Sequence, residues 1–245
     1  TRWIVEGRFQ GGADIELSPL GERQASLAAE RLAVPTRSPV LPIPTLPPLE
    51  IVHSPLRRAA RGAALTADAL GKRLGSAPPL RSDGSFRELG QGVWEGMFRT
   101  EIEARYPDEL RAWRRTPHLA HAPEGEPVVD VAARSRQGLR ALFERLDAVP
   151  KNPTRSQGSA GYPPPAAPDT PWTLLVGHDG VFKTVMCQIF GMPLERFWAW
   201  PFGLAGISVV EIRAGMPVLR AHNLTEHLAP LLDAVAIGET EERQR

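Results

Sequence analysis

Leu49 to His53 (LEIVH) runs straight into Ser54 to Leu74 (SPLRRAARGAALTADALGKRL), and Trp172 to Val176 (WTLLV) runs through Gly177-His178-Asp179-Gly180 into VFKTVMCQIFG. In both places a short apolar run, strand-like in length, passes into apolar residues at helical spacing. A strand feeding a helix, met twice, predicts an α/β protein: a three-layer αβα sandwich with a mostly parallel central sheet and helices on both faces. Ser54 stands where it can cap the first of these helices.

Outward from these units, Ser18 followed by Pro19 supplies an N-cap with proline at the first helical position, and GERQASLAAERLA continues with leucines and alanines at helical spacing. Near the end, GISVVEI and PVLRAHN flank Arg213 to Met216, a turn containing Gly215, and predict a hairpin or adjacent strands. Pro35 to Pro48 and Pro150 to Pro171 are too rich in proline, glycine and serine for helices and are expected as surface loops (35–48 and 150–171). The segment before the first loop is too short for its own core, so residues 1–245 are expected to form one domain.

Composition narrows the function classes. Formal net charge is +1 and arginines alternate with carboxylates, so there is no electrostatic footprint for nucleic acid. An anionic partner is expected to be small and bound locally. Cys187 is the single cysteine, which excludes an intramolecular disulfide and a cysteine-based zinc site. No stretch has the length of a membrane helix and no basic start leads into an apolar signal region, so no membrane partner and a cytoplasmic location are expected.

In open α/β sheets ligands collect beyond the carboxyl ends of the strands, at helix N-termini that attract anions. The segments after LEIVH and WTLLV have that address, so Arg58 and His178 are expected to grip one phosphoryl group. Arginine offers a planar, permanently charged fork to phosphate oxygens. Phe86 to Gly96 (FRELGQGVWEG) is glycine-rich, polar and aromatic at once, and its Glu88 is a candidate proton donor, since a carboxylic acid beside an anion keeps its proton nearer neutrality. Gly7 to Gly12 (GRFQGG) sets Arg8 among glycines that allow close backbone approach to a ligand. Read singly these residues are ordinary: Arg58 a solvated helix cation like Arg57 and Arg61, Glu88 a surface carboxylate, His178 a structural histidine.

Taken in order, however, the segments resemble the histidine phosphatase (phosphoglycerate-mutase-like) superfamily. GRFQGGADIELSPLGERQA is similar to the stretch that follows that family's Arg-His-Gly nucleophile motif. HSPLRRA resembles its Ser-x-Leu-x-Arg-Ala motif, FRELGQGVWEG its Glu-x-x-x-Gly-x-Trp-Glu-Gly segment, PEGEPVVDVAAR its Gly-Glu-Ser segment with Pro127 for the serine, and LLVGHDGVFK its second-histidine motif. AHNLTEHL is similar to its final strand. The resemblance implies a phosphatase acting through a phosphohistidine on a small soluble phosphorylated metabolite, without cofactor or metal. It implies Glu88, His178 and Arg58 as catalytic residues, and Thr1, Arg8, Gln10, Gly11, Arg58 and Asp179 as phosphate contacts. The Arg-His-Gly motif would end at Thr1, so the nucleophile and most of the first central strand are expected just upstream, in a truncated record. Ile4 takes the place of a common phosphate-contacting asparagine.

Phosphoglycerate mutase and a catalytically dead phospho-ligand binding module are the alternatives. The segment after Gly96 (MFRTEIEARYPDELRAWRRTP) resembles the compact phosphatase branch, which favours hydrolysis, and the resemblance places specificity in a lid between Thr100 and Glu126 and in the opening loop. His118 and His121 lack a third ligand and are expected as loop residues. His53, His222 and His227 are expected to be structural, and Trp198 to Phe202 (WAWPF) to serve packing.

Overall fold

The computed structural model describes residues 1–150 and 170–231, so most of the second proline-rich stretch lies outside the described residues. In chain order the helices are α1 (Arg2–Val5), α2 (Pro19–Ala33), α3 (Arg57–Leu74), α4 (Arg99–Arg105), α5 (Pro107–Arg115), α6 (Val128–Asp147) and α7 (Asp179–Ile189). The strands are β1 (Ile51–His53), β2 (Leu80–Ser82), β3 (Leu174–Val176), β4 (Ile207–Arg213) and β5 (Met216–Leu224).

The first three strands form a parallel sheet in the order β2-β1-β3, with Ile51 level with Leu80 and Leu174 and His53 level with Ser82 and Val176. β1 is buried along its whole length, as a central parallel strand should be, with Ile51 and Val52 apolar and His53 at its carboxyl end. Its alternate residues separate the layers. Ile51, with Leu174 and Val176, packs on Ala33 of α2 and on Ala63, Ala67 and Leu70 of α3. Val52, with Leu175, packs on Val128, Val131 and Leu139 of α6 and on Val181 and Val185 of α7. The expected three layers are therefore present. Strand β2 is short, exposed and without apolar alternation, and its pairing is supplied by β1. β4 and β5 form the expected terminal hairpin, antiparallel, around Ala214-Gly215.

The Ser18 cap stands as read: its Oγ accepts from Gly21 N at 3.2 Å and Pro19 opens α2. The Ser54 cap does not. Helix α3 begins at Arg57, its N-cap position is Leu56, and Ser54 Oγ instead accepts from Leu56 N at 3.3 Å. Pro55 holds Ser54 in extended backbone, so the helix starts later. The Arg57 N–H is met by the Asp14 carboxylate at 2.7 Å, a cap brought from a distant loop. The first proline-rich stretch contains no helix or strand, yet it is more than a surface loop. Leu41 is 2% exposed and packs with Leu32 of α2 and Ile207 of β4, while Arg31 binds carbonyls of Val34, Pro35 and Pro39.

Candidate active site

Because β1 and β3 are parallel neighbours, the loops after His53 and Val176 open on the same edge of the sheet. Arg58, in the first turn of α3, and His178, at the N-cap of α7, meet there with Arg58 Nε 3.2 Å from His178 Nδ1. Both side chains are buried, each about 8% exposed. The guanidinium also donates through Nη1 to Ala13 O at 2.6 Å and through Nη2 to Gly11 O at 2.8 Å. These bonds bind the opening loop to α3. Burial lowers the Arg58 pKa, and the Glu88, Asp14 and Glu95 carboxylates offset part of that. The group nonetheless stays charged, as arginine does in proteins.

His178 is held well below its ordinary pKa, first by burial and then by the positive charge of Arg58 and Arg134. It is therefore neutral near pH 7. Its Nδ1 faces a donor that has no acceptor capacity, so the proton sits on Nε2. Nε2 is buried and meets no acceptor among the described residues, which leaves it a donor for a ligand oxygen. Gln10 closes the other side of Arg58. With its carboxamide oxygen toward the guanidinium it accepts from Nε at 2.6 Å and from Nη2 at 3.2 Å, and its nitrogen donates to Thr1 Oγ1. The reverse orientation sets donor against donor.

Glu88 arrives from the short 3-10 turn at Gly84–Phe86. Its carboxyl lies deep against the start of α7, taking N–H groups from Leu89 at 2.9 Å, Gly180 at 3.2 Å and Val181 at 3.0 Å. Burial raises its pKa; the three N–H groups pull the other way, nearby Asp179 adds to the rise, and the balance lies above the ordinary value. A Cβ at Gly180 would stand 2.7 Å from Glu88 Oε1, so glycine is what lets the carboxyl cap this helix. Glu95 fastens the opening loop to the same segment, accepting from Gly12 N at 2.7 Å and Gln91 N at 2.9 Å. At Gly11, φ is +54° and a Cβ would fall 2.5 Å from Glu95 Oε1, so only glycine fits there.

A cleft of about 310 Å³ leads away from Glu88, Asp179 and Gly180 and is walled by Phe9, Trp113, Phe197 and Trp198. Arg99 and Arg114 stand on it too, both bonded to Glu103 Oε1, at 2.9 and 3.1 Å.

The histidine phosphatase superfamily (branch 1) profile matches residues 1–149 and 165–225. The chain belongs to the histidine phosphatase superfamily. It is 34% identical over 215 residues to a glucosyl-3-phosphoglycerate phosphatase of Mycolicibacterium vanbaalenii, covering 86% of this chain and 79% of that one. It is 25% identical over 229 residues to phosphoserine phosphatase 1 of Hydrogenobacter thermophilus, covering 93% and 90%. Among solved structures, a mycobacterial glucosyl-3-phosphoglycerate phosphatase complexed with inorganic phosphate superposes with a TM-score of 0.66 at 31% identity, covering 90% of this chain and 93% of that one.

Within this histidine phosphatase, the structure brings Arg58, His178, Glu88, Gln10, Gly11 and Thr1 together, but not all the residues read from the sequence. Arg8 is turned to Glu6 Oε2 at 2.8 Å and Gly96 O at 2.7 Å, with its guanidinium 3.9 Å above the Phe98 ring centre. Asp179 lines the cleft, its carboxylate engaged by Lys183 Nζ. Ile4, in α1, is 42% exposed.

His53 Nδ1 lies 2.8 Å from Ser54 O, His121 Nδ1 2.9 Å from Ala122 O, His222 Nδ1 3.1 Å from Ser208 Oγ and His227 Nε2 3.0 Å from Ala205 O. His118 Nε2 is 3.7 Å from Glu195 Oε1. Among the described residues no His, Cys, Asp and Glu cluster has a metal-holding arrangement.

Sequence reasoning gave no part to Arg134 or to the cleft's aromatic wall. Arg134 pairs with both oxygens of Glu126 at 2.7 and 2.8 Å and donates to Ser85 O at 2.9 Å and Arg87 O at 2.7 Å, clamping the turn that carries Glu88. Nothing in a polar helix position announces such a clamp. Of the WAWPF run, Trp200 stacks on Phe190 and Phe202 packs on Phe182, as expected for packing, but Trp198 is 44% exposed on the cleft.

Proposed function

We propose that the complete protein is a phosphomonoester hydrolase working through a phosphohistidine on a small soluble phosphorylated metabolite. The observation that carries this is the meeting of Arg58 and His178 at 3.2 Å, beside Glu88, whose pKa burial raises and whose carboxyl is bound to the helix that His178 opens. A guanidinium and a neutral imidazole N–H face the equatorial oxygens, where charge gathers in phosphoryl transfer. The nucleophilic histidine attacks phosphorus, the bond to the leaving oxygen breaks, and Glu88 gives that oxygen its proton. Water then attacks the phosphohistidine, the Glu88 carboxylate takes the proton, and inorganic phosphate departs.

The resemblance assigns the nucleophile to an Arg-His-Gly motif, which is not among residues 1–245. The same reading takes residues 1–245 as one domain, with Thr1, Gln10, Gly11 and Asp179 around the phosphate, no metal requirement and a cytoplasmic location. Among the described residues no helix is long and apolar enough to cross a membrane.

Phosphate release from a panel of phosphomonoesters by the complete protein tests the reading, with Arg58, Glu88 and His178 each replaced by alanine. Each replacement is expected to cost on the order of a hundredfold or more in kcat. Undiminished turnover in all three, or isomerisation of 3-phosphoglycerate without phosphate release, would refute it.

A further inference from the structure

The superfamily relatives differ in what leaves with the oxygen: one name carries a hexose, the other an amino acid. The phosphoryl site does not distinguish these, because it grips only what they share. The cleft beyond Glu88 does. Trp198 stands 44% exposed on it, although its neighbours Phe197 and Trp113 are both buried. The indole is rigidly held from behind. Its ring lies edge-on to Phe197 at 4.8 Å between centres and 86°, and edge-on to Trp113 at 5.4 Å and 76°. Lys183, 5% exposed, sets its ammonium 5.5 Å from the Trp198 ring and reaches Asp179, on the phosphoryl side, with the same group. Leaving so large an aromatic surface in water forgoes its burial, while its neighbours hold it in place.

We propose that Trp198, backed by Trp113 and Phe197, is the platform on which a glycosyl ring of the leaving group stacks, making this phosphatase selective for a glycosylated phosphomonoester. A pyranose has an apolar C–H face and a polar edge all round. The cleft answers both, with indole on the wall and Gln91, Arg99 and Arg114 around it. An amino-acid leaving group has no face to lay on the indole. Ring contacts of this kind are worth enough to shift affinity by roughly threefold to tenfold beyond simple burial.

The proposal rests on the phosphatase reading, and the test separates the two. The complete protein is assayed with glucosyl-3-phosphoglycerate, 3-phosphoglycerate and phosphoserine. The expected result is a preference for the glucosyl ester in kcat/KM. Replacing Trp198→Gln is expected to cost the glucosyl ester about tenfold more than 3-phosphoglycerate, mainly in KM, with Trp198→Phe restoring most of the difference.

A readout in the unaltered protein makes the test independent of variant folding: glucosylglycerate is expected to inhibit 3-phosphoglycerate hydrolysis competitively, and glycerate at the same concentration far less. Hydrolysis with no preference for the glucosyl ester, equal losses on both esters, or inhibition no stronger than by glycerate overturns the platform and leaves the phosphatase standing. Failure to hydrolyse any ester overturns both.

Discussion

The two ends of the cleft are built by opposite means. At the phosphoryl end, Arg58, His178 and Glu88 come from strand-end loops and a short turn, and two of the three are tied to backbone: Arg58 to Gly11 and Ala13, Glu88 to Leu89, Gly180 and Val181. At the lid end, α5 presents Trp113, which packs against Phe197 and Trp198 through ring contacts. Polar ties fix charge to within hydrogen-bond tolerance, which transition-state stabilisation demands. Ring packing fixes a surface, and a surface is what sorting leaving groups needs. If the proposed roles hold, chemistry and selectivity are separable in this molecule.

Glu88→Gln should break the phosphoryl end hardest, lowering kcat by roughly 10² to 10⁴ and removing the alkaline fall in rate. The sign follows from the raised pKa: the donor form persists above the ordinary carboxyl range and is lost as pH climbs through the shifted value. Folding moves the other way. A raised carboxyl pKa gives stability that is full at low pH and lost as pH rises through it, so Glu88→Gln should unfold at no lower a temperature than the parent at neutral pH.

At the lid end the larger effect should fall on stability. Trp113, 4% exposed, when replaced by alanine is expected to cost about 3–5 kcal/mol in a denaturant titration. A kcat loss matching that of Glu88→Gln, without destabilisation, would erase the distinction between the two ends.

Asp14→Ala probes the remote cap of the helix that carries Arg58. A loss of about 1 kcal/mol, seen as a fall of roughly 2–4 °C in Tm, is expected; no change would show that the Arg57 N–H is equally well served by water. The smallest effect is on acid stability. The depressed pKa of His178 means that its contribution is intact above about pH 6.5 and fades as pH falls below that value, so His178→Gln should flatten the acid side of the stability profile. An unaltered slope would place the charge burial elsewhere, with His227, also depressed by burial, the next group to replace.

Much of the phosphoryl end was legible along the chain because its signals are local. Strand-to-helix junctions at His53 and Val176 announce a ligand edge wherever the strands are parallel neighbours. The glycines around Glu88 and before His178 mark close backbone approach. The Ser18-Pro19 start read correctly for the same reason. The Ser54 cap misread because Ser54 and Pro55 carry a local signal that a distant carboxylate, Asp14, overrides. Arg8 misled similarly: set among glycines it suggests a ligand contact, and Glu6, Gly96 and Phe98 take it up instead. β2 was invisible since its three residues have no strand pattern of their own.

The α/β class, the parallel units, the superfamily and the chemical types gathered at the strand ends are all written along the chain, because periodicity, caps and motifs act over a few residues. That Gln10 braces Arg58, that Arg134 clamps the Glu88 turn and that Trp198 faces the cleft while Phe197 beside it is buried emerge from the folded arrangement. Those outcomes depend on which side chains from distant segments compete for the same space and the same donors, and spacing along the chain carries no record of that competition.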